Sequence, residues 1–587
     1  NERNTLRLLG SFFAEANLLK GLRFRMNFGP DFRSYNNGQF QYKESALRGG
    51  GAPTSTNFAS YNTAQQIAWT LENILFYDRT FGDEHRVGLT LLQSSSMMQE
   101  ENSNMTATNL PYNSQLWYNL GSTSRGALDR WGSGYSKMNL LSYMARVNYS
   151  FGDKYLLTVS GRWDGASVLA PGNKWDFFPS MAVAWKMSEE PFLQNVTWLN
   201  ELKPRIGLGS TGNSSVRPYT TMGAVLQIPY VFGSTPANGF IPSNPKGAAD
   251  EQGSIPNPAL SWERTQQWNF GIDFGVLNDR ITGSIDYYIA DTYDLIMDKS
   301  VNRVTGYGSI VENIGRTQNK GIEVSLSSVN IDQGDFRWTS NITFSRNDQQ
   351  IVELQEGPFD NVNRRWFIGH PLQVYYDYKK VGIWQLEDAD VMAQFNANGA
   401  TYKPGDIRVE DVNGDFRIDP TNDYQILGSS YPKWNGGITN TFTYKGVELS
   451  GFVYARWGNM IEGGAVDMQG RYASRKVDYW TVDNPTNAYP RADYASGGVP
   501  VHLSAMNYQD GSFVKVRYIS LGYTFPRTLT QRARFHNLKI YAQVLNPFLY
   551  AKVDFMDPEI SFQNNAANTS GSAVSSRSLV FGLNASF

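Results

Sequence analysis

Cysteine is absent from this chain, and that absence removes three chemistries: a disulfide scaffold, a thiolate zinc site and a cysteine nucleophile. Histidine is almost as scarce. His85, His370, His502 and His536 are the only four, and none sits in an HExxH-like metal spacing. Neither sign of charge dominates. The 52 Lys and Arg stand against 54 Asp and Glu, a formal net charge of −2, so nothing in bulk draws the chain to nucleic acid. Walker A and Gly-x-Ser-x-Gly do not occur. Gly207-x-Gly209-x-x-Gly212 matches GxGxxG formally, but it reads as a strand with no helix after it, a chance match. With no convincing triad, a protease or lipase is disfavoured and the chain reads as a non-enzyme. Also missing is any apolar run near the ~18 residues of a transmembrane helix. The opening NERNTLRLLG carries no apolar signal core, so a mature chain or a fragment is expected.

What is plentiful is glycine (54), tyrosine (33), phenylalanine (33) and tryptophan (15), a composition suited to strands, tight turns and interfacial aromatic girdles. The last ten residues read SLVFGLNASF. Leu579, Phe581, Leu583, Ala585 and Phe587 fall on one face, and Ser578, Gly582, Asn584 and Ser586 on the other. Similar alternation recurs. Leu141, Tyr143, Ala145, Val147, Tyr149 and Phe151 oppose Ser142, Arg146, Asn148 and Ser150. Leu538, Ile540, Ala542 and Val544 oppose Lys539, Tyr541 and Gln543. A sandwich would show the same alternation, so the connections must decide.

Short turns at Lys20–Gly21, Gly82–Asp83, Gly152–Asp153, Asn278–Asp279, Gln333–Gly334 and Lys445–Gly446 alternate with long polar segments. The latter lie near 34–64, 96–137, 214–261, 351–430, 459–512 and 549–575. Brief periplasmic turns and long extracellular loops are the outer-membrane pattern. The expected fold is therefore an all-β transmembrane antiparallel β-barrel of about seventeen strands. Counting back from a periplasmic C-terminus makes the first crossing, near Thr5–Leu18, run downward. A single-chain barrel starts upward with an even strand number, so residues 1–587 are expected to be the C-terminal part of a larger barrel. Gln373–Gln385 would break the count if it crossed, and is placed inside an extracellular excursion at 351–430. Glu189–Glu201 and Pro526–His536 are longer turn-side connections, the first with room for a helical turn.

Several local patterns resemble the SusC-type (SusC/RagA) TonB-dependent outer-membrane transporters. They are Asn257-Pro258-x-Leu260-x-Trp262-Glu263-x-Thr265, Gly315-Arg316-x-x-Asn319-x-Gly321-Ile322-Glu323 and Pro404-Gly405-Asp406-Ile407. Asp411-x-Asn413-Gly414-Asp415, Gly428-x-x-x-Pro432-Lys433-Trp434-x-Gly436-Gly437 and the aromatic terminal strand complete the set. They follow the family's order from about residue 140 onward. The resemblance implies a 22-stranded barrel of which this chain would hold strands six to twenty-two. It departs from the family at the front, with no plug, no TonB box and no first five strands. It further implies active import of oligosaccharides or peptides in a Gram-negative outer membrane, with outer-membrane lipid around the barrel. A SusD-like surface lipoprotein would serve as lid, and TonB–ExbB–ExbD would act through the missing plug. A passive porin or a surface adhesin-like barrel is the alternative.

Two motifs could carry binding chemistry. In Asp411–Asp423, oxygen donors at Asp411, Asn413, Asp415, the Arg417 carbonyl and Asp419 follow the opening of an EF-hand-type loop, with Asp423 able to replace the missing last carboxylate. This predicts a structural Ca²⁺ in an extracellular loop. Against it stand Phe416 where glycine is usual, and the alternative of an Asx-rich turn that needs no metal. The second motif is aromatic loop sequence. Trp117, Trp131, Trp366, Tyr376 and Trp384, with Arg364 and Arg365, could stack on and hydrogen-bond a sugar or peptide. Arg146, Asp286, Glu448, Arg456 and Lys539 are placed on the wet inner wall.

Overall fold

A computed structural model describes residues 1–49, 52, 54–123, 128–222, 224–233, 235–243, 254–302, 304, 307–354, 357–463, 476–492, 500–531, 534–553, 557–559 and 575–586. Phe587, the expected terminal aromatic, lies outside them. Two compact units divide the chain: residues 1–186, 205–268 and 291–316, and residues 187–204, 269–290 and 317–587.

Seventeen long strands run through the described residues. β1 is Glu2–Leu9 continued by Phe12–Leu19. Both halves pair with β2 (Leu22–Gln41), and the Gly10 amide donates to the Pro30 carbonyl between them, so they form one interrupted strand. β3 (Phe58–Phe81), β4 (His85–Thr108), β5 (Arg130–Phe151), β6 (Tyr155–Ala166), β7 (Trp175–Trp185) and β8 (Leu199–Asn213) follow. In the first unit each pairs antiparallel with its sequence neighbour, as a meander of tight turns requires. Next come β9 (Glu263–Val276), β10 (Ile281–Tyr293), β11 (Arg316–Gln333) and β12 (Phe336–Glu353). β13 (Trp434–Tyr444), β14 (Val447–Trp457), β15 (Phe513–Thr524), β16 (Asn537–Ala551) and β17 (Ser578–Ser586) complete the set. In the second unit β12 to β17 again pair in order. At the β13–β14 turn, Lys445 (φ 47°) and Gly446 (φ 86°) are both left-handed, the backbone that a two-residue hairpin with native twist demands.

The two faces differ in the way the alternation predicts. In the first unit Tyr143, Val147 and Phe151 of β5 lie beside Trp163, Val159 and Tyr155 of β6, and all six are exposed. Aromatics gather at both ends of this band. Trp175 lies against Tyr143 and Trp163 at one end, and Tyr155 against Phe151 and Trp185 at the other. From Tyr143 to Phe151 the strand rises about 27 Å, the scale of a transmembrane apolar band. The opposite face is polar. Ser160 and Ser180 share a 2.7 Å hydrogen bond, and Thr158 donates to Asn148 at 3.0 Å. The second unit repeats the pattern. Leu449, Leu521 and Phe581 are exposed on one face, while Lys539 pairs with Glu448 at 2.9 Å and Thr441 meets Ser450 at 3.1 Å on the other.

The strands outrun the expected loop boundaries. Residues 34–41, 58–64, 96–108 and 130–137 were read as loop and are strand, so β3 and β4 reach 24 residues each. Beyond the apolar band the strands continue with Asn, Gln, Ser and Thr on both faces, a composition that hides a strand from hydropathy while its ladder hydrogen bonds persist.

Candidate functional site

The long connections of the second unit are folded, not loose. Val374–Tyr378 pairs with Tyr424–Ser429, and Lys380–Ile383 pairs with Ile407–Val409. A 3₁₀ turn (Leu386–Asp388), capped reciprocally by Gln385 and Asp388, leads straight into helix α1 (Ala389–Ala397). Gln373–Gln385 is thus strand-like but pairs only with its own excursion, outside the seventeen-strand ladder.

Sequence reading treated 351–430 and 459–512 as separate loops. The structure joins them. Tyr378, Ile383, Ile407 and Val409 from the first bury against Trp480, Leu503, Ala505 and Met506 from the second. Polar contacts run alongside. Trp480 Nε1 donates to Gln385 at 2.8 Å, the Ile383 amide to Asn487 Oδ1 at 2.9 Å, and Arg491 pairs with Asp406 at 2.9 Å. Gly405 is left-handed (φ +92°), and a Cβ there would meet the Trp480 ring at 2.5 Å and Arg491 at 2.7 Å. The Pro404-Gly405-Asp406 motif therefore serves this junction: glycine for clearance, aspartate for the arginine.

One side of this cap gathers charge and aromatic surface. Asp377 is 4% exposed and accepts from Tyr508 Oη at 2.9 Å and Ser504 Oγ at 3.2 Å. Tyr375 packs on Tyr508, and Phe367 on Tyr376. Burial pushes the Glu462 carboxyl up, with Arg365 opposing that rise and Asp377 adding to it. Burial also drives the Tyr508 phenol up, reinforced by Asp377. The arrangement offers donors, acceptors and flat rings without an activated nucleophile, which suits holding a ligand.

The expected ligand residues divide. Arg364, Arg365, Trp366 and Tyr376 belong to this side, with the Arg364 guanidinium 5.1 Å from the Trp366 ring centre. Trp131 is 72% exposed, on β5 in the first unit. Trp384 is instead core, 2% exposed among Met392, Phe395 and Tyr402. Trp117 is also core, packed where Gly38 has no side chain. Burying a whole indole gains more than exposing it as a binding platform, so both tryptophans close the loops that carry them.

The acidic loop 411–423 is braced by its own backbone. Asp411 accepts from the Gly414 and Phe416 amides, Asp415 from Arg417, Asp419 from Thr421 and Asn422, and Asp423 from Val412 and Asp419. Asn413 accepts from the Asp415 amide. The carboxylates are spent on the loop's own N–H groups, which is Asx-turn chemistry. Among the described residues no group of three or more acidic or histidine side chains could hold a metal.

His502 sits at the seam of the two segments. Its Nε2 lies 2.7 Å from Tyr402 Oη, and its ring packs edge-on against Tyr378. Burial lowers its pKa from 6.5, against the opposing pull of Asp377, Asp423 and Asp406, and pushes Tyr402 up to about 12. A depressed imidazole pKa means the folded seam prefers the neutral ring. That stability is present above pH 6.5 and falls away as pH drops below it. Hydrogen-exchange protection across 476–492, corrected for the intrinsic slowing of exchange in acid, is expected to drop between pH 7 and 5, and His502→Gln to flatten the trend. An unchanged trend in the variant would assign the pH effect elsewhere.

The motif residues outside the cap build the frame. Leu260 and Trp262 are buried beneath Phe178 and Val216, and Trp262 Nε1 donates to Lys174 at 2.9 Å. Asn257 Nδ2 donates to the Val311 carbonyl at 2.6 Å. Gly212, the last residue of the GxGxxG match, lies under the Phe178 ring and leads into no helix.

Residues 4–546 match the family model described as TonB dependent receptor-like, beta-barrel. The chain belongs to that family. Among curated relatives, TonB-dependent receptor P26 of Formosa agariphila is 29% identical over 621 residues, covering 100% of this chain and 60% of its own length. TonB-dependent receptor SusC of Bacteroides thetaiotaomicron is 30% identical over 453 residues, covering 72% of this chain and 42% of its own. Among solved structures, the RagAB peptide importer in its open-open state matches at TM-score 0.81 and 20% identity, over 100% of this chain and 61% of that one. The family fold is the outer-membrane β-barrel, and the exposed apolar face above is its lipid-facing wall. The chain spans about three fifths of the length of Formosa receptor P26 and less than half of SusC.

Proposed function

We propose that the protein of which this chain is the barrel imports oligosaccharides or peptides across the outer membrane, driven by TonB and served by a SusD-like surface lipoprotein. The observation that carries the reading is the family match over residues 4–546. The two-loop cap with its ring-lined, charged side supports it as the place where cargo is met. The tight turns then lie on the periplasmic side and the cap on the outside. TonB–ExbB–ExbD would act through a plug outside residues 1–587. RagAB is a peptide importer, and the aromatic cap residues suit sugar rings equally.

The test is uptake of labelled oligosaccharide and peptide pools by cells expressing the full-length protein. Uptake is expected to vanish with TonB deleted and to fall with Arg365→Ala plus Trp366→Ala. Uptake independent of TonB would replace this reading with a passive porin.

A further inference from the structure

The lipid-facing wall of the second unit changes character at one level. Along β12 this face reads Trp338, Ser340, Ile342 and Phe344 and then turns charged at Arg346 and Asp348. On β11 the same face passes from Ile322 to Lys320 and Gln318. Phe344, Trp434 and Trp457 stack in a row at this boundary, with centroids 6.0 and 6.2 Å apart. Such a girdle marks the apolar–headgroup border.

A cleft of about 590 Å³ opens directly above it. Lys320, Asp348, Lys433, Asn459 and Asp510 line it, beneath an overhang of residues 427–432. Its two acids are already matched: Asp348 by Arg346 at 3.0 Å, and Asp510 by Lys552 at 2.6 Å. Among the described residues Lys320 and Lys433 have no ion-pair partner.

We propose that this cleft binds the phosphorylated sugar headgroup of an outer-leaflet glycolipid. The height fixes the occupant as a headgroup. Two unpaired ammonium groups call for phosphate, which Lys meets as a point charge. Amide and hydroxyl side chains in the same lining, Asn347 and Ser429 among them, suit the hydroxyls of a saccharide. The volume suits a phosphorylated saccharide, with the acyl chains lying on the wall below. The inference rests on the membrane orientation proposed above, not on what is imported.

The test is titration of the full-length protein in mild detergent with bisphosphorylated lipid A, read by native mass spectrometry. One lipid A is expected to stay bound. Dephosphorylated lipid A, or the Lys320→Gln plus Lys433→Gln variant, should weaken binding roughly tenfold, while Lys445→Gln at the opposite turn should change nothing. Equal binding by either would overturn the proposal. Inorganic phosphate competing as well as lipid A would make it a free-phosphate site, and phosphatidylglycerol binding equally would make it a generic anionic-lipid contact, each against the glycolipid. Uptake is expected to survive the double lysine change. Absence of TonB-driven uptake by the unaltered protein, with lipid A still bound, would sink the importer reading alone.

Discussion

Gly405→Ala is expected to detach the two halves of the cap. The position combines a left-handed backbone (φ +92°) with a Cβ site 2.5 Å from the Trp480 ring. Backbone strain there costs about 1–2 kcal/mol, and forcing apart a packed indole and the Arg491–Asp406 pair brings the total to about 3–4 kcal/mol. Hydrogen exchange should rise together in 400–409 and 476–492 while the wall strands stay protected. Gly399→Ala is the control, because Gly399 is equally left-handed (φ +99°) with nothing within 4 Å of its Cβ site. If the two variants behave alike, strain alone explains the effect and the packing argument fails.

Glu559→Ala is expected to be the costliest single change in the C-terminal strands. Lys515 is 2% exposed and donates to Glu559 at 2.6 Å and to Ser575 at 2.8 Å. Arg517 reaches the same carboxylate with both terminal nitrogens. Asp557, 3.8 Å from Lys515, is a second and longer ion-pair partner that remains when Glu559 is lost. Removing one partner of a buried ion pair costs about 3–5 kcal/mol, and with Asp557 still paired to Lys515 the expected cost lies toward the low end. The readout is urea unfolding of the folded barrel followed by gel mobility. Lys515→Met with Glu559→Gln should cost less than Glu559→Ala alone. If Glu559→Ala unfolds at the unaltered urea midpoint, the cluster does not carry this load.

Much of the wall was legible in the sequence. Period-two alternation told which side chains share a face, and tight-turn residues such as Lys445-Gly446 told where the chain reverses, because both signals are local. Strand ends were not legible, since residues such as Asn62, Ser103 and Ser133 extend a ladder with no hydropathy contrast. The cap was hidden for a different reason. Trp480 and Gln385 are 95 residues apart, and nothing near either announces the other. The burial of Trp117 and Trp384 was hidden from the same cause, because whether an indole is covered depends on which distant segment folds over it. Spacing alone does not decide the role of the acidic loop. Asp at alternate positions serves turns as well as ions, and only geometry separates them.

The shared core of the cap sets a rule for inheritance. A chimera that takes 351–430 from one relative and 459–512 from another would set Gly405, Asp406 and Gln385 before strangers to Trp480 and Arg491. Recombination within this protein's lineage should therefore exchange the two segments as a pair. A library that shuffles them independently should yield mostly barrels that assemble with their crown unformed.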